Sequence, residues 1–324
     1  MRTTPHGFHL ACLLAAGLLV GCSTPEPAPG PPSAQAPWWP LPPGAVLEQA
    51  GTVWPGTGTP TPPHGTLPPD GRTPKERVPR IVQRGFVLVG VNQSQNLLSF
   101  RDPVTGELQG FEVDIAREIA RDIFGDPTKV EFRFVDAGDY QQALDQGRVD
   151  MVLRSMSITA ERQERMAFSA PYLSSAKQLM VLSQSGITTA EHMRDKTVCV
   201  AHQSTALNNA REVLPASSIL KVSNWADCLV ALQQHQVDGI LADDAILAGI
   251  AAQDPYATTV GEKLTAENYG VIVPLHDSDG VIRQINSTLA RITRDGTWWR
   301  LYNAWLGPFL PTQGPPAPVY EEKQ

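Results

Sequence analysis

Over residues 78–185, short apolar runs alternate with segments in which every fourth residue is apolar. This pattern predicts strands followed by helices. A short apolar run, such as residues 86–91, is typical of a buried strand. Apolar side chains at a spacing of four, from Phe111 to Ile123, predict one face of a helix. Because the two kinds of segment alternate, the pattern indicates a parallel α/β sheet. The strands are predicted at 86–91, 130–135 and 150–153, and the helices at 111–124 and 140–146.

The same alternation starts again after residue 185 and predicts a second α/β lobe. Its strands are predicted at 197–201, 220–222, 239–242 and 269–273, and its helices at 205–213, 224–235, 244–252 and 278–294. Two tandem lobes fit two arrangements. They are either independent domains or lobes joined by two crossing strands, with the chain leaving lobe 1, building lobe 2 and returning. The segments 178–183 and 268–274 both qualify as crossing strands.

The N-terminus has the features of a targeting segment. Arg2 precedes an apolar run of 11 residues, 10–20, which is too short to span a bilayer and typical of a signal peptide. The run ends in small residues before Cys22, and this ending resembles the lipobox of bacterial lipoproteins. The resemblance implies cleavage of residues 1–21 and several acyl chains at Cys22, which would anchor the chain to the outer face of the cell membrane. An ordinary signal peptide with a chance cysteine is the alternative.

Residues 22–77 have few of the large apolar side chains that build a core; Trp38, Trp39 and Trp54 are exceptions. Of the 29 prolines, 16 lie in residues 23–77, and this composition predicts a disordered tether of partly polyproline II character. The Pro-rich residues 307–324 are expected to form a poorly ordered tail.

Composition and charge exclude several classes of protein. The chain has 324 residues, enough for about two domains. Its net charge of −7, without a basic block, argues against a nucleic-acid partner. It has no GxxxxGK phosphate loop, no HExxH motif and no Ser-His-Asp arrangement, and His202 and His235 stand alone. We therefore predict no metal and no cofactor, and the missing motifs argue against an enzyme. A secreted enzyme and a scaffold that binds no ligand stay as alternatives to the function that the motifs described below imply.

Two of the four cysteines fall in the N-terminal segment, Cys12 in the predicted signal peptide and Cys22 at the predicted lipid site. Cys199 and Cys228 remain, 29 positions apart, in a chain predicted to be exported into an oxidising environment. We predict a disulfide between them; two buried free thiols are the alternative.

Four segments resemble, in order and spacing, the motifs of family 3 periplasmic solute-binding proteins, which bind polar amino acids. They are Gly-Phe-Glu-Val-Asp-Ile at 110–115, a segment ending in Thr-Ala-Glu-Arg at 149–162, Phe-Ser-Ala-Pro-Tyr at 168–172, and a strand ending in aspartate at 237–243. The resemblance covers residues 80–305. Arg154 and the paired cysteines look closest to the glutamate-binding lipoproteins of high-GC Gram-positive bacteria.

The resemblance implies a two-lobed binding-protein fold of type II. Lobe 1 would be formed by residues 78–182 and 270–306, and lobe 2 by residues 183–269. The lobes would close on the ligand about the two crossing strands. The implied partner is a membrane protein that reads the closed form, either an ABC transporter permease or a membrane sensor.

The resemblance also suggests which residues bind the charged groups of a free amino acid. Arg162, the arginine of Thr-Ala-Glu-Arg, is implied to bind the α-carboxylate, because a guanidinium can bind both oxygens. Asp243, at the end of a buried strand, is implied to bind the α-ammonium. Asn92 and Gln95 follow the first strand and are expected to line the side-chain pocket. Further ligand contacts are expected from Ser155, Ser157, Thr159, Ser204 and Thr205.

Arg154 is the candidate for ligand selection. It ends an otherwise apolar strand, where an arginine is costly unless it is paired or faces the cleft. Two arginines against Asp243 leave one positive charge, so L-glutamate or, second, L-aspartate would form a neutral complex. Glutamine or another polar amino acid is the alternative ligand, and a structural arginine is the alternative role for Arg154. Lys177 is expected to be solvated.

Overall fold

The computed structural model describes residues 40–54, 56 and 62–322. The predicted signal peptide, residues 1–21, and the predicted lipid site at Cys22 lie outside these residues. Within them, no helix combines the length and the apolarity that a crossing of the bilayer requires.

Strands and helices alternate over most of the described chain, as the alternating patterns of apolar residues predict. The strands are β1 Val46–Glu48, β2 Val87–Val91, β3 Ser94–Gln95, β4 Ser99–Arg101, β5 Leu108–Gln109, β6 Val130–Phe134, β7 Met151–Leu153, β8 Met166–Leu182, β9 Thr197–Ala201, β10 Ser218–Val222, β11 Gly239–Asp243, β12 Ala257–Val260 and β13 Ala266–Pro274. The helices are α1 Pro74–Arg77, α2 Pro79–Arg84, α3 Phe111–Phe124, α4 Tyr140–Asp145, α5 Ala160–Gln163, α6 Thr205–Val213, α7 Trp225–Gln233, α8 Asp244–Ala251, α9 Asp279–Arg294 and α10 Thr297–Trp305. A 3-10 helix lies at Ala190–Met193.

A large sheet runs through both lobes in the order β1-β10-β9-β11-β8-β13-β7-β2-β6, with β12 added to β8. In lobe 1, β2 is parallel to β6 and β7, and in lobe 2, β9 is parallel to β10 and β11. The long strands β8 and β13 are antiparallel to each other and pass between the two parallel groups. The observed arrangement is therefore that of two lobes joined by two crossing strands, and the two lobes are not independent domains.

The first crossing strand is longer than the pattern predicts. β8 starts at Met166, and its later part, from Lys177 to Leu182, pairs with β11 and β12 of lobe 2. The predicted segment 178–183 is thus the far end of this strand. The pattern missed the middle of β8 because residues 174–178 are small or polar and form no apolar run.

Helix α3 illustrates how the sequence sets local structure in lobe 1. Its apolar side chains follow the predicted spacing of four, and Phe111, Ile115 and Ile119 are fully buried. Gly110 precedes the helix with a φ of 129°, and a Cβ there would lie 2.3 Å from the carbonyl oxygen of Leu98. Glycine is required at this turn because any side chain would strike the backbone.

Part of the predicted tether is ordered. Val46–Glu48 form β1, which pairs in antiparallel register with β10 at the edge of lobe 2. Glu48 binds Arg211 and Lys221, and hydrogen bonds and charge from these cations lower the pKa of Glu48 to about 2. The expectation of disorder does not hold for residues 40–54. An open sheet edge and two cations offer partners that the composition of the segment does not reveal.

Residues 62–77 and the C-terminal tail also depart from the expected disorder. Thr66 forms a β-bridge with Tyr320, which joins the two segments. Gln313 donates a hydrogen bond from Nε2 to the carbonyl oxygen of Ser174 at 2.9 Å, which attaches the tail to the crossing strand β8. These contacts join segments that are far apart in sequence, so local composition could not predict them.

The predicted disulfide is confirmed. Cys199 of β9 and Cys228 of α7 are bonded, with a Cα–Cα distance of 5.6 Å, and both are fully buried. The bond closes a loop within lobe 2 and stabilises it by about 3–4 kcal/mol on the loop-entropy scale.

Candidate functional site

A cleft between the lobes encloses about 520 Å³ of empty space, its opening to solvent included. Residues of both lobes line it near the carboxyl ends of the parallel strands, where α/β sheets bind ligands. Eight of the ten residues predicted to contact a ligand line this cleft: Gln95, Arg154, Ser155, Ser157, Arg162, Ser204, Thr205 and Asp243.

Two predicted ligand contacts do not line the cleft. Asn92 is buried after β2, where its side-chain oxygen accepts hydrogen bonds from the backbone and the hydroxyl of Ser94. Thr159 caps α5 and accepts a hydrogen bond from the backbone of Arg162 at 3.3 Å. Both residues hold local turns, which polar residues after a strand or before a helix commonly do.

The lobes touch each other around the cleft. Arg162 of lobe 1 donates from Nη2 to the carbonyl oxygen of Gln203 in lobe 2 at 3.0 Å. Asn96 of lobe 1 donates from Nδ2 to the carbonyl oxygen of Gly249 in α8 at 3.2 Å. These contacts across the cleft are those of a closed form.

Arg162 is held in place by lobe 1 itself. Its Nη1 donates to the carbonyl oxygen of Ser157 at 2.9 Å, so the guanidinium is fixed at the start of α5. Among the described residues, no carboxylate lies within 4.0 Å of it. The cation therefore lines the cleft, oriented by carbonyl groups and without an anionic partner in the part of the chain that the structure describes.

Arg154 is the second cation of the cleft without a carboxylate partner among the described residues. It follows β7, and its Nε is buried with no hydrogen-bond acceptor from residues 40–54, 56 and 62–322. Burial lowers the pKa of Arg154, and the charges of Asp136 and Glu112 oppose this effect. An arginine here is costly, as its place in the sequence suggested, unless an anion enters the cleft.

A buried carboxyl supports the turn beside Arg154. Ser155 has a φ of 52°, and its backbone N–H donates to Oε1 of Glu112 at 2.6 Å. The hydroxyl of Tyr172 donates to the same oxygen, so Tyr172 packs behind the cleft. Burial raises the pKa of Glu112. Glu112 thus fixes the turn and is not an ion-pair partner of Arg154.

Asp243 has a partner that the sequence analysis did not foresee. Lys177 was expected to be solvated; it is fully buried, and its Nζ lies 2.6 Å from Oδ1 of Asp243. The same Nζ lies 2.8 Å from Oε2 of Glu267 on β13. Burial, together with the charge of Glu267, raises the pKa of Asp243, and Lys177 opposes this rise. Burial would likewise raise the pKa of Glu267, but the charge of Lys177 and its hydrogen bond lower it overall.

The pairing of Lys177 follows from strand register. Lys177 on β8 stands directly opposite Asp243 on β11 in the antiparallel ladder. The alternation of β8 was hidden by its small and polar residues, so the sequence showed only a lone lysine. A lysine within a strand that faces a predicted ligand aspartate is the signal that would have found it.

Three further residues line the cleft, although the sequence analysis did not predict them as ligand contacts. His202, which the sequence analysis noted only as a histidine that stands alone, lines the cleft. Gln203, next to it, adopts a φ of 57° at the turn before α6. Trp225 contributes an aromatic wall from α7. Their place directly after predicted strands was the available signal.

Comparison with known proteins agrees with this architecture. The family described as bacterial extracellular solute-binding proteins, family 3, matches residues 87–308. The ABC transporter glutamine-binding protein GlnH of Bacillus subtilis is 31% identical over 72% of this chain and 85% of its own length. The glutamate-binding protein GluB of Corynebacterium glutamicum is 30% identical over 70% of this chain and 80% of its own length.

Solved structures resemble it as well. The solute receptor for L-cysteine of Neisseria gonorrhoeae is 27% identical, covers 72% of this chain and 94% of its own, and superposes with a TM-score of 0.67. An ancestral arginine-binding protein bound to glutamine is 30% identical, covers 69% and 99%, and superposes with a TM-score of 0.63. Together with the strand order, these likenesses confirm the predicted two-lobed α/β fold of type II. Because the family match spans more than half of the sequence, this chain belongs to family 3 of the bacterial extracellular solute-binding proteins.

Proposed function

We propose that this chain is the extracytoplasmic receptor of an amino-acid ABC transporter and that it binds an acidic amino acid, glutamate first and aspartate second. Relatives named for the binding of glutamine and glutamate support the class of ligand and of partner. Their names differ in the amino acid, so the choice among ligands rests on the cleft. A membrane sensor that reads the closed form is the second candidate partner.

The observation that carries the proposal is the pair of cleft cations without counterions. Arg154 and Arg162 both line the cleft, and no carboxylate of the described residues lies within 4.0 Å of either. A carboxylate that enters the closed cleft gives a largely buried cation a charged partner, and this partner offsets the cost of burying the cation. A ligand with two carboxylates supplies one for each arginine.

The charged groups that line the cleft favour the same ligand. Lys177 and Glu267 are bonded to each other, and their charges cancel. Glu112 does not line the cleft, and its Oε1 accepts hydrogen bonds from Ser155 and Tyr172. The two arginines and Asp243 therefore leave one positive charge, which a ligand of charge −1 neutralises.

The proposed pose assigns each charged group of the ligand to one wall. The α-carboxylate binds Arg162 and the start of α6 at Ser204 and Thr205, where backbone N–H groups favour anions. The side-chain carboxylate binds Arg154, and the α-ammonium binds Asp243. Ligand bound by both lobes favours closure about β8 and β13, and the closed form is what the permease reads.

Other ligands fit this cleft less well. Arginine would bring its side-chain cation towards Arg154, which like charges disfavour. Glutamine would leave Arg154 without an anion. An enzyme is the alternative class, because a structural neighbour is described as an ancestral precursor of cyclohexadienyl dehydratase. Turnover of the bound amino acid would indicate that class.

Isothermal titration of the purified Cys22→Ser chain tests the ligand. L-glutamate, L-aspartate, L-glutamine and L-arginine are titrated into this chain and into the same chain carrying Arg154→Met. Arg148→Met is the matched control, because Arg148 lies on the surface of lobe 1, paired with Asp139. We expect Arg154→Met to weaken glutamate binding about 10- to 100-fold and glutamine binding little. Glutamine binding equal to that of glutamate would contradict the proposal.

We further propose export and lipid anchoring through Cys22, on the sequence pattern alone. Metabolic labelling with a fatty acid, followed by isolation of the chain, should give a labelled protein. Cys22→Ala should abolish the label and release the chain from the membrane fraction. A labelled Cys22→Ala chain would exclude this anchor.

A further inference from the structure

The two crossing strands bring a second pair of charges to Asp243. Lys177 comes from β8 and Glu267 from β13, and Nζ of Lys177 bonds a carboxylate oxygen of each acid, at 2.6 Å from Asp243 and 2.8 Å from Glu267. Neither Lys177 nor Glu267 lines the cleft. We call Lys177, Asp243 and Glu267 the lysine triad.

A two-membered version of this cluster would not bind a cation. If Lys177 met Asp243 alone, its charge would cancel that of the carboxylate that lines the cleft. An α-ammonium group would then meet a neutral ion pair and gain little. Glu267 changes this, because it is a second counterion for the same lysine and leaves the cluster with one net negative charge.

Glu267 is fixed for this role by lobe 2. The hydroxyl of Thr205, the first residue of α6, donates to Oε2 of Glu267 at 2.8 Å. Oε2 is also the atom that bonds Lys177. The side chain of Ser157 in lobe 1 lies 3.5 Å from that hydroxyl. The geometry of Glu267 therefore depends on residues that face each other across the cleft.

We propose that Glu267 sets the charge of the ammonium-binding end of the cleft by acting as the counterion of Lys177, which leaves Asp243 free to bind the ligand's α-ammonium. This inference rests on the proposed function, since it assumes an amino-acid ligand. Glu267 and Lys177 are positioning residues, and neither needs to touch the ligand.

A ligand that lacks only the ammonium group isolates this effect. The affinity ratio of L-glutamate to glutarate, its analogue without the amino group, measures what the ammonium contributes. Glu267→Gln keeps the shape of the side chain and removes its charge. We expect this ratio to fall about tenfold or more in Glu267→Gln, because Lys177 then cancels Asp243.

The double variant separates charge from packing. In Lys177→Met/Glu267→Gln, Asp243 stands alone with its charge, and we expect the glutamate-to-glutarate ratio to return to within about threefold of that of the original chain. Lys177→Met alone should keep the ratio at least as high as the original. Lys263→Met is the control, because the exposed Lys263 forms a 2.6 Å pair with the buried Asp244 beside the triad, and it should leave the ratio unchanged.

Titration calorimetry gives both affinities, and circular dichroism shows that each variant is folded. Equal weakening of glutamate and glutarate in Glu267→Gln would mean a structural role and overturn the inference. So would a double variant whose ratio stays as low as that of Glu267→Gln. If the original chain prefers another amino acid, the proposed choice of glutamate is wrong. The role of Glu267 is then tested with that amino acid and its analogue without the amino group. Absence of binding by every amino acid overturns both proposals.

Discussion

The two charged walls of the cleft differ in how their charges are satisfied. Arg154 and Arg162, the arginine pair, have no carboxylate partner among the described residues. The lysine triad packs one fully buried lysine between two carboxylates at 2.6 and 2.8 Å. Both regions place charge at or directly behind the closed cleft, yet only the triad neutralises most of its own charge. The comparison teaches that the position of unpaired charge, rather than the number of charges, indicates what the ligand must bring.

The sharpest test of the comparison is the opposite effect of two substitutions on stability without ligand. Lys177→Met should lower the free energy of unfolding by about 3 kcal/mol or more, because it leaves two buried carboxylates without their cation. Arg154→Met should raise it by about 1 kcal/mol, because it removes a cation that lacks a partner. Urea unfolding of both variants measures these changes. A loss of stability in both would show that Arg154 is structurally paired, and the comparison would break.

Arg162→Met tests the arginine pair through binding. We expect glutamate affinity to fall by about 2–5 kcal/mol in binding free energy, because the α-carboxylate loses a charged partner in the closed cleft. Arg165→Met is the matched control, since Arg165 lies on the surface after α5, paired with Glu161. Titration calorimetry compares the two. A fall of equal size in the control would assign the effect to local packing around α5.

Gly249→Ala tests whether the two lobes meet only in the closed form. A Cβ at Gly249 would lie 2.3 Å from the carbonyl oxygen of Asn96 across the cleft. Alanine favours the helix by about 1 kcal/mol, so stability should not fall, while ligand affinity should drop by about tenfold. Gly71→Ala, where the space around the glycine is open, is the control. Unchanged affinity in Gly249→Ala would mean that closure tolerates the extra methyl group.

Glu112→Gln gives the smallest effect and tests the absence of a counterion near Arg154. Burial raises the pKa of Glu112 above its usual value of 4.5, so the folded chain holds this proton to higher pH than the unfolded chain does. The resulting stability is fully present below about pH 4.5 and is lost as the pH rises through the folded pKa. The stability of Glu112→Gln relative to the original chain should therefore rise with pH, by at most about 1.4 kcal/mol per pH unit.

Urea midpoints collected from pH 4 to pH 8 measure this slope on both chains. Parallel curves would mean that Glu112 is ionised in the folded chain, and Arg154 would then have a protein counterion after all. Glu48 changes in the opposite sense. Its pKa of about 2 means that its contribution is present above about pH 4.5 and is lost as the pH falls towards 2.

The regular elements of this chain could be predicted from its sequence. Helix α3 and the strand β9 occupy the predicted residues, because their apolar positions repeat with the period of the element. The disulfide could be predicted as well, because predicted export and the fate of the other two cysteines left Cys199 and Cys228 to pair. The cleft followed as well, since polar residues after parallel strands meet at one edge of a sheet.

Tertiary structure decided how the charges pair. Lys177 meets Asp243 through the register of β8 against β11, and Glu267 reaches them from β13, which follows lobe 2 in the chain. The pairing of β1 with β10 is also set by the tertiary structure, because the sheet edge that β1 joins is formed by residues far from 40–54 in sequence. The sequence by itself determined periodicity, turns and the residue types available to the cleft, because these depend on near neighbours. Pairing depends on distances of a few ångströms between residues remote in sequence, and only the folded chain sets those distances.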